Sequence, residues 1–233
     1  MNKGLMNKGL VAAVALLCSA CTGSLFDSDL PVPMSYVIAS APAGSLTGAP
    51  TTQADVSIGR PDFAPGLDTD RIAVLKGRQL DYYRGARWGG RSVEVVQSML
   101  VSSINDQGLF RSVTSEQARV ATDYMLDVEV RHFESVYGNE AGTGSPEVHV
   151  MIIGRLIRVV DRKLVTTVTG EARIAATAER MAAVTQAFEA ASQKVALDLA
   201  RQTAIAVADD VPVLRKARGD VADTRPENET QPE

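Results

Sequence analysis

Cysteine, histidine and aromatic side chains are scarce in this chain, and their scarcity removes whole classes of function. The only cysteines, Cys18 and Cys21, lie close to the N-terminus, so the body beyond them can form neither a disulfide framework nor a cysteine-bound metal centre. The two histidines, His132 and His149, each fall on a predicted strand with no cysteine or paired-carboxylate spacing around them, and a metal site is not expected. Alternation along its strand puts His149 on the polar side, where solvent exposure would explain it. No Gly-x-Ser-x-Gly elbow, Cys-His pair or phosphate-binding glycine loop is present, so the reading is non-enzymatic and without a cofactor. Basic residues do not dominate either, since the formal net charge is -4, which argues against nucleic acid as a partner. No apolar run reaches the roughly 20 residues that a membrane-spanning helix takes.

What the N-terminus does contain is an export signal. Lys3 and Lys8 precede or flank the short apolar run Leu10 to Leu17, and the small residues Ser19 and Ala20 lead into Cys21, the layout of a secretory signal. A cysteine directly after such a site resembles the bacterial lipoprotein signal, in which the thiol is acylated and becomes the first residue of the mature protein. Cys18 stands where most such signals carry Leu; the alternative is an ordinary cleaved signal whose cysteine is incidental. A covalent lipid on Cys21, palmitate among its usual chains, would hold the protein at a membrane surface, each buried methylene contributing about 0.8 kcal/mol. Cleavage before Cys21 removes Lys3 and Lys8 and leaves a charge of about -6. The opening repeats itself, Met1 to Leu5 against Met6 to Leu10, so translation can start at either methionine.

The remainder divides into a lipidated N-terminus and tether over 21–34, one domain over 35–208 and a charged tail over 209–233 without apolar period, which reads as disordered. Short strands are expected at Tyr36 to Ala39, at Ala54 to Arg60 and at Arg71 to Leu75, the last joined by a Lys76-Gly77 turn to Gln79 to Tyr83. Val93, Val96, Leu100 and Ile104 recur at steps of three and four over Ser92 to Ile104, one stripe of an amphipathic helix closed by Gly108. Three longer alternating segments follow. They contain Tyr124, Leu126, Val128 and Val130; then Val148, Val150, Ile152 and Leu156, with Gly154 as a bulge candidate; then Leu164, Thr166, Val168 and Ala172, after an Asp161-Arg162-Lys163 turn. The longest helix is expected over Glu179 to Ala206, burying Met181, Val184, Phe188, Ala191, Val195 and Leu199, with Pro212 ending any continuation. Consecutive strands and few helices give an α+β fold, an antiparallel β-sheet with two main α-helices packed on one face in a single domain.

The segment Arg60-Pro61-Asp62-Phe63-Ala64-Pro65-Gly66-Leu67-Asp68-Thr69-Asp70-Arg71-Ile72-Ala73-Val74, followed by Leu80-Asp81-Tyr82-Tyr83-Arg84-Gly85-Ala86-Arg87-Trp88, resembles the ABC-type transport auxiliary lipoprotein family. The likeness continues through Ala121-Thr122-Asp123-Tyr124-Met125-Leu126, Phe133-Glu134-Ser135-Val136-Tyr137 and Ala187-Phe188-Glu189-Ala190-Ala191, and so spans about Tyr36 to Val207. Gly89-Gly90-Arg91 departs from it, standing where the family more often has small or apolar residues and a proline. The resemblance implies a lipid-anchored protein on the periplasmic face of the outer membrane, partnered with an MCE-domain protein and ABC transporter subunits. It further implies movement of phospholipid or other hydrophobic molecules between two membranes, and a homo-oligomeric ring around the end of the MCE partner. Thr22 after Cys21 is compatible with outer-membrane delivery under the sorting rule of enteric bacteria. The rival reading is a structural lipoprotein of another envelope machine, such as lipopolysaccharide assembly.

Tyr82, Tyr83, Arg84, Arg87 and Trp88 put three aromatic rings and two guanidinium groups within seven positions, and such residues are over-represented in interface hot spots. Either this group faces a partner, or Tyr82 and Trp88 anchor a loop in the core and only the arginines are exposed. Asp68 and Asp70 read as solvated carboxylates of a turn, since the further oxygen ligands of a hard-cation loop are missing nearby. Glu134 and Glu140, near Tyr137, are assigned to a loop with no sign of acid-base roles. The apolar stripe of the long helix is assigned to core packing against the sheet, with lipid handled by an assembly and not inside this domain.

Overall fold

The computed structural model describes residues 32–223. The expected signal segment, the acylation expected at Cys21, most of the tether and the last ten residues of the tail, 224–233, lie outside the described residues.

Among the described residues nine strands form one sheet: β1 (Met34–Tyr36), β2 (Asp55–Ile58), β3 (Asp62–Phe63), β4 (Arg71–Lys76), β5 (Gln79–Trp88), β6 (Ser112–Ser115), β7 (Tyr124–Tyr137), β8 (Glu147–Arg158) and β9 (Lys163–Ala175). Two α-helices accompany them among the described residues, α1 (Ser92–Asn105) between β5 and β6 and α2 (Met181–Asp223) after β9. The α+β class and the two main helices follow the sequence pattern. The sheet itself is mixed where the strand runs suggest a purely antiparallel one. Antiparallel pairing holds for β4 with β5, β7 with β8 and β8 with β9, each pair consecutive in the chain.

β7 organises the rest. One of its edges pairs with β8 along nearly its whole length. The other is covered in succession by three short parallel strands, β2 against Tyr124 to Leu126, β3 against Glu129 and Val130, and β4 against Ser135 to Tyr137. β1 pairs in parallel with β5, and β6 with β2. Parallel neighbours need a long crossover, and between β2 and β7 the chain runs through β3, β4, β5, α1 and β6.

α2 lies on β8 and β9, while α1 packs against β2 and β6 and meets α2. Val184, Phe188, Ala191, Val195 and Leu199 of α2 are all buried, as are Val93, Val96, Leu100 and Ile104 of α1. Gly170 lets α2 approach closely, because a Cβ there would stand 2.9 Å from the Val195 carbonyl oxygen. Gly154 serves packing as well, not a bulge: it is paired with Val128 and Val168 on its two sides, and the irregularity in the β8–β9 ladder falls between Leu156 and Ile157. Trp88, Phe133 and Phe188 form the centre of the core, their ring centroids 5.1 to 5.5 Å apart.

α2 does not stop before Pro212 but continues to Asp223, so residues 209–223 belong to a helix and not to a disordered tail. The reason is tertiary. Asp210 is buried against Arg158 and Tyr124, Leu214 is buried, and Arg218 pairs with Asp123. These anchors on both sides of Pro212 offset the lost backbone hydrogen bond and ring clash of an interior proline.

Candidate partner interface and a buried polar cluster

The sequence around Tyr82 lies in β5, paired with β4, and the pairing is interrupted. Arg71 faces Arg87 while Ala73 faces Tyr82, so the residues from Tyr83 to Ala86 bulge out of the ladder. Gly85 permits this by taking φ +68°, in the left-handed region that other residues seldom adopt. Bulges of this kind re-aim side chains at sheet margins. Here the result is an exposed Arg84 at the crest of the bulge.

The neighbouring rings turn inward. Trp88 is 1% exposed and belongs to the aromatic core, which removes it from any surface available in the isolated chain. Its backbone N–H donates to the Asp70 carbonyl at 2.7 Å, tying the loop before β4 to the end of β5. Tyr82 is half-buried, its hydroxyl donating to the Gly66 carbonyl at 2.8 Å and its ring lying under the Arg71 guanidinium at 4.0 Å. Tyr83 is also half-buried and shares a 2.9 Å hydrogen bond with the Ser135 hydroxyl. Of the group singled out by composition, Arg84 and the half-buried Arg87 reach solvent, and the three rings act as anchors.

Arg87 borders an open cleft of about 530 Å³ whose lining includes Ser35, Asp68, Asp70, Gly90 and Arg91. Arg91 donates to Asp68 at 2.6 Å, and Arg87 stands 3.7 Å from Asp70. The two carboxylates stand part-exposed in a bend, as expected, and each also has a guanidinium group beside it. The sequence supplies the residue types, but the pairing depends on β5 returning beside the loop at Asp68, which no local spacing encodes. α1 begins at Ser92, immediately after Gly89-Gly90-Arg91, and its Ser92 hydroxyl donates to the Thr69 carbonyl at 2.7 Å.

A second group was not apparent from spacing. His132 and Glu134 lie on β7, not in a loop, and His149 lies opposite Glu134 on β8. His149 is only 3% exposed and Glu134 only 5%. β8 is flanked by β7 and β9, and the side chains of Glu134, His132 and Glu171 cover a position that alternation alone assigns to solvent. The His132 and His149 rings stack with centroids 3.9 Å apart. His132 Nδ1 lies 2.7 Å from Glu134 Oε1, His149 Nδ1 3.9 Å from the same oxygen, and His149 Nε2 2.8 Å from Glu171 Oε1. Burial pushes the His149 imidazole below its ordinary range, against the pull of its hydrogen bond to Glu171. The one usable signal was a His-x-Glu step on one strand with a histidine on the next, and recognising it requires the β7–β8 register.

Comparison with known proteins bears on the whole domain. A family model described as ABC-type transport auxiliary lipoprotein component matches residues 36–200. No curated protein matches the chain. Among solved structures, a Xanthomonas campestris protein of family DUF330 is similar over 79% of this chain and 99% of its own, at 24% identity and TM-score 0.66. An uncharacterized protein is similar over 78% of this chain and 99% of its own, at 11% identity and TM-score 0.51. The PelC dodecamer from Paraburkholderia phytofirmans is similar over 66% of this chain and 94% of its own, at 13% identity and TM-score 0.40.

Proposed function

Because the chain belongs to the ABC-type transport auxiliary lipoprotein component family, we propose that it is the non-enzymatic outer-membrane accessory subunit of an MCE/ABC system that moves lipid or other hydrophobic molecules between membranes. Anchored through a lipid on Cys21 at the periplasmic face, it docks the periplasmic conduit to the outer membrane as a homo-oligomer around an MCE-domain partner. The observation that carries this reading is the family match across the folded domain. Two structural features support it. The centre of the fold is filled by Trp88, Phe133 and Phe188 packed ring to ring, which suits a scaffold better than a lipid carrier. Arg84 is held out on a bulge, where a partner could meet it, and arginine is enriched at protein interfaces.

The test is mass spectrometry of an affinity pull-down of the tagged protein from its own host in mild detergent. Recovery of an MCE-domain protein with ABC transporter subunits is the expected result. A different envelope complex in their place, such as lipopolysaccharide assembly machinery, would overturn the MCE assignment and leave only the family membership.

A further inference from the structure

The cluster of His132, Glu134 and His149 has a feature that core packing does not explain. Glu171 Oε1 stands 2.8 Å from His149 Nε2, and an ionised carboxylate can only accept. The proton of His149 therefore sits on Nε2, and Nδ1 carries a lone pair. That lone pair faces Glu134 Oε1 at 3.9 Å. Glu134 is itself buried, and among the described residues the two imidazoles are its ion-pair neighbours, with no lysine or arginine at salt-bridge distance. Its other oxygen accepts the Phe133 N–H at 2.6 Å. Glu134 Oε1 is held by His132 Nδ1 at 2.7 Å on one side and faces the His149 Nδ1 lone pair on the other, a position that a cation shared by the three groups would fill.

We propose that His132, Glu134 and His149 form a site for a divalent transition metal of the zinc class, each giving one ligand atom. The ligand atoms available from the three residues lie within 4.8 Å of one another, and two imidazoles with one carboxylate are a donor set that zinc accepts. Glu171 takes the outer role, fixing the His149 tautomer from behind, as the partners of metal-bound histidines do. The rings are 21° from parallel, so an ion in the plane of both requires one to turn. His132 can do so, because its side chain is 42% exposed while that of His149 is 4%. Three protein ligands leave a position open to water or to a donor from a partner. The proposal does not rest on the transport reading.

The experiment is zinc titration of the full chain, purified without a polyhistidine tag and stripped of metal, in competition with a chromogenic chelator. Uptake of a single equivalent is expected, abolished in Glu134→Gln and His149→Ala. His132→Ala alters a half-exposed side chain and keeps the native circular dichroism spectrum, and it should likewise lose uptake. Glu171→Gln should weaken affinity by about 10- to 100-fold. Absence of uptake by the natural chain, as expected if the cluster holds only a proton, overturns the proposal. So does uptake that persists unchanged in a folded His132→Ala protein, which would place the zinc elsewhere.

Discussion

The Arg158 guanidinium grips Asp210 through two hydrogen bonds, Nε to Oδ2 at 2.9 Å and Nη2 to Oδ1 at 3.1 Å, across 52 residues of sequence. Both side chains are nearly buried, and the Tyr124 hydroxyl donates to the same carboxylate at 2.9 Å. This contact joins the far half of α2 to the end of β8. Arg158 keeps Asp161, 2.9 Å from its Nη1, so loss of Asp210 costs the charged hydrogen bonds and not a wholly unpaired charge, about 1–3 kcal/mol. Asp210→Ala is therefore expected to lower the unfolding free energy by that amount, read as a lower urea midpoint with the slope unchanged. Ending the chain at residue 208 should cost stability too; full stability in that truncation would show that the helix extension is not docked.

The elements with strong periodicity were legible, and those made by distant pairing were not. Val93 to Ile104 and Val184 to Leu199 repeat at helical spacing, and β7 to β9 alternate over long runs, so these elements are where the sequence pattern puts them, although α2 runs on to Asp223 and β7 to Tyr137, past the expected ends. β3 and β6 are too short to carry a period. The parallel placement of β2, β3 and β4 along β7 depends on register between segments far apart in sequence. Pro212 carries a strong local stop signal that Asp210, Leu214 and Arg218 override from the tertiary side. Trp88 shows the same limit at the candidate interface. Residue type left a contact surface and a core anchor both open, and only the fold decides that the ring is spent on the core.

Arg84 and Arg87 offer the means to separate partner binding from folding. Arg84 is exposed, and the Arg87 to Asp70 pair at 3.7 Å lies between side chains that are both well exposed, a setting in which ion pairs contribute little. The double substitution to Ala is expected to change unfolding free energy by no more than about 1 kcal/mol. It should reduce recovery of partner subunits in the pull-down. A collapse of melting temperature would instead assign both arginines to the fold.

Asp55 makes the stability of the β2–β6 margin sensitive to acid. The Arg111 guanidinium donates to it, and the Ser112 hydroxyl adds a hydrogen bond at 2.7 Å. Arg111 first, with Ser112, holds its carboxyl below the ordinary range despite partial burial. A depressed folded-state pKa gives stability that is complete above the unfolded value of about 3.9 and is lost as pH falls through the folded value. Urea unfolding between pH 7 and pH 2 is expected to show a loss in that low range that is smaller in Asp55→Asn. An identical pH profile in the two proteins would remove Asp55 as a source of acid sensitivity.

The proposed function requires Cys21 to carry the lipid anchor. Cys21→Ser should move the protein from the membrane fraction to the soluble periplasmic fraction, and metabolic labelling with a clickable palmitate analogue should mark the natural chain alone. Because the body beyond Cys21 contains no cysteine, no thiol there can substitute for it. Unchanged membrane retention of the serine variant would identify the attachment as protein-mediated.

Three glycines provide a graded test of how tightly α2 sits on the sheet. A Cβ at Gly170 would approach Val195 Cγ1 and the Val195 carbonyl oxygen at 2.9 Å each, and backbone of a packed helix cannot move aside without shifting the helix. At Gly154 the nearest atom would be Leu126 Cδ1 at 2.8 Å, the end of a side chain that can change rotamer. At Gly138 the added methyl meets nothing within 4 Å. Overpacking of a filled core costs about 1–3 kcal/mol, so Gly170→Ala should destabilise by that order, Gly154→Ala by less, and Gly138→Ala should be neutral or slightly stabilising through the unfolded chain. Urea unfolding of the three variants checks the order. If Gly170→Ala proved as stable as Gly138→Ala, α2 would have to lie farther from β9 than the contact at Val195 requires.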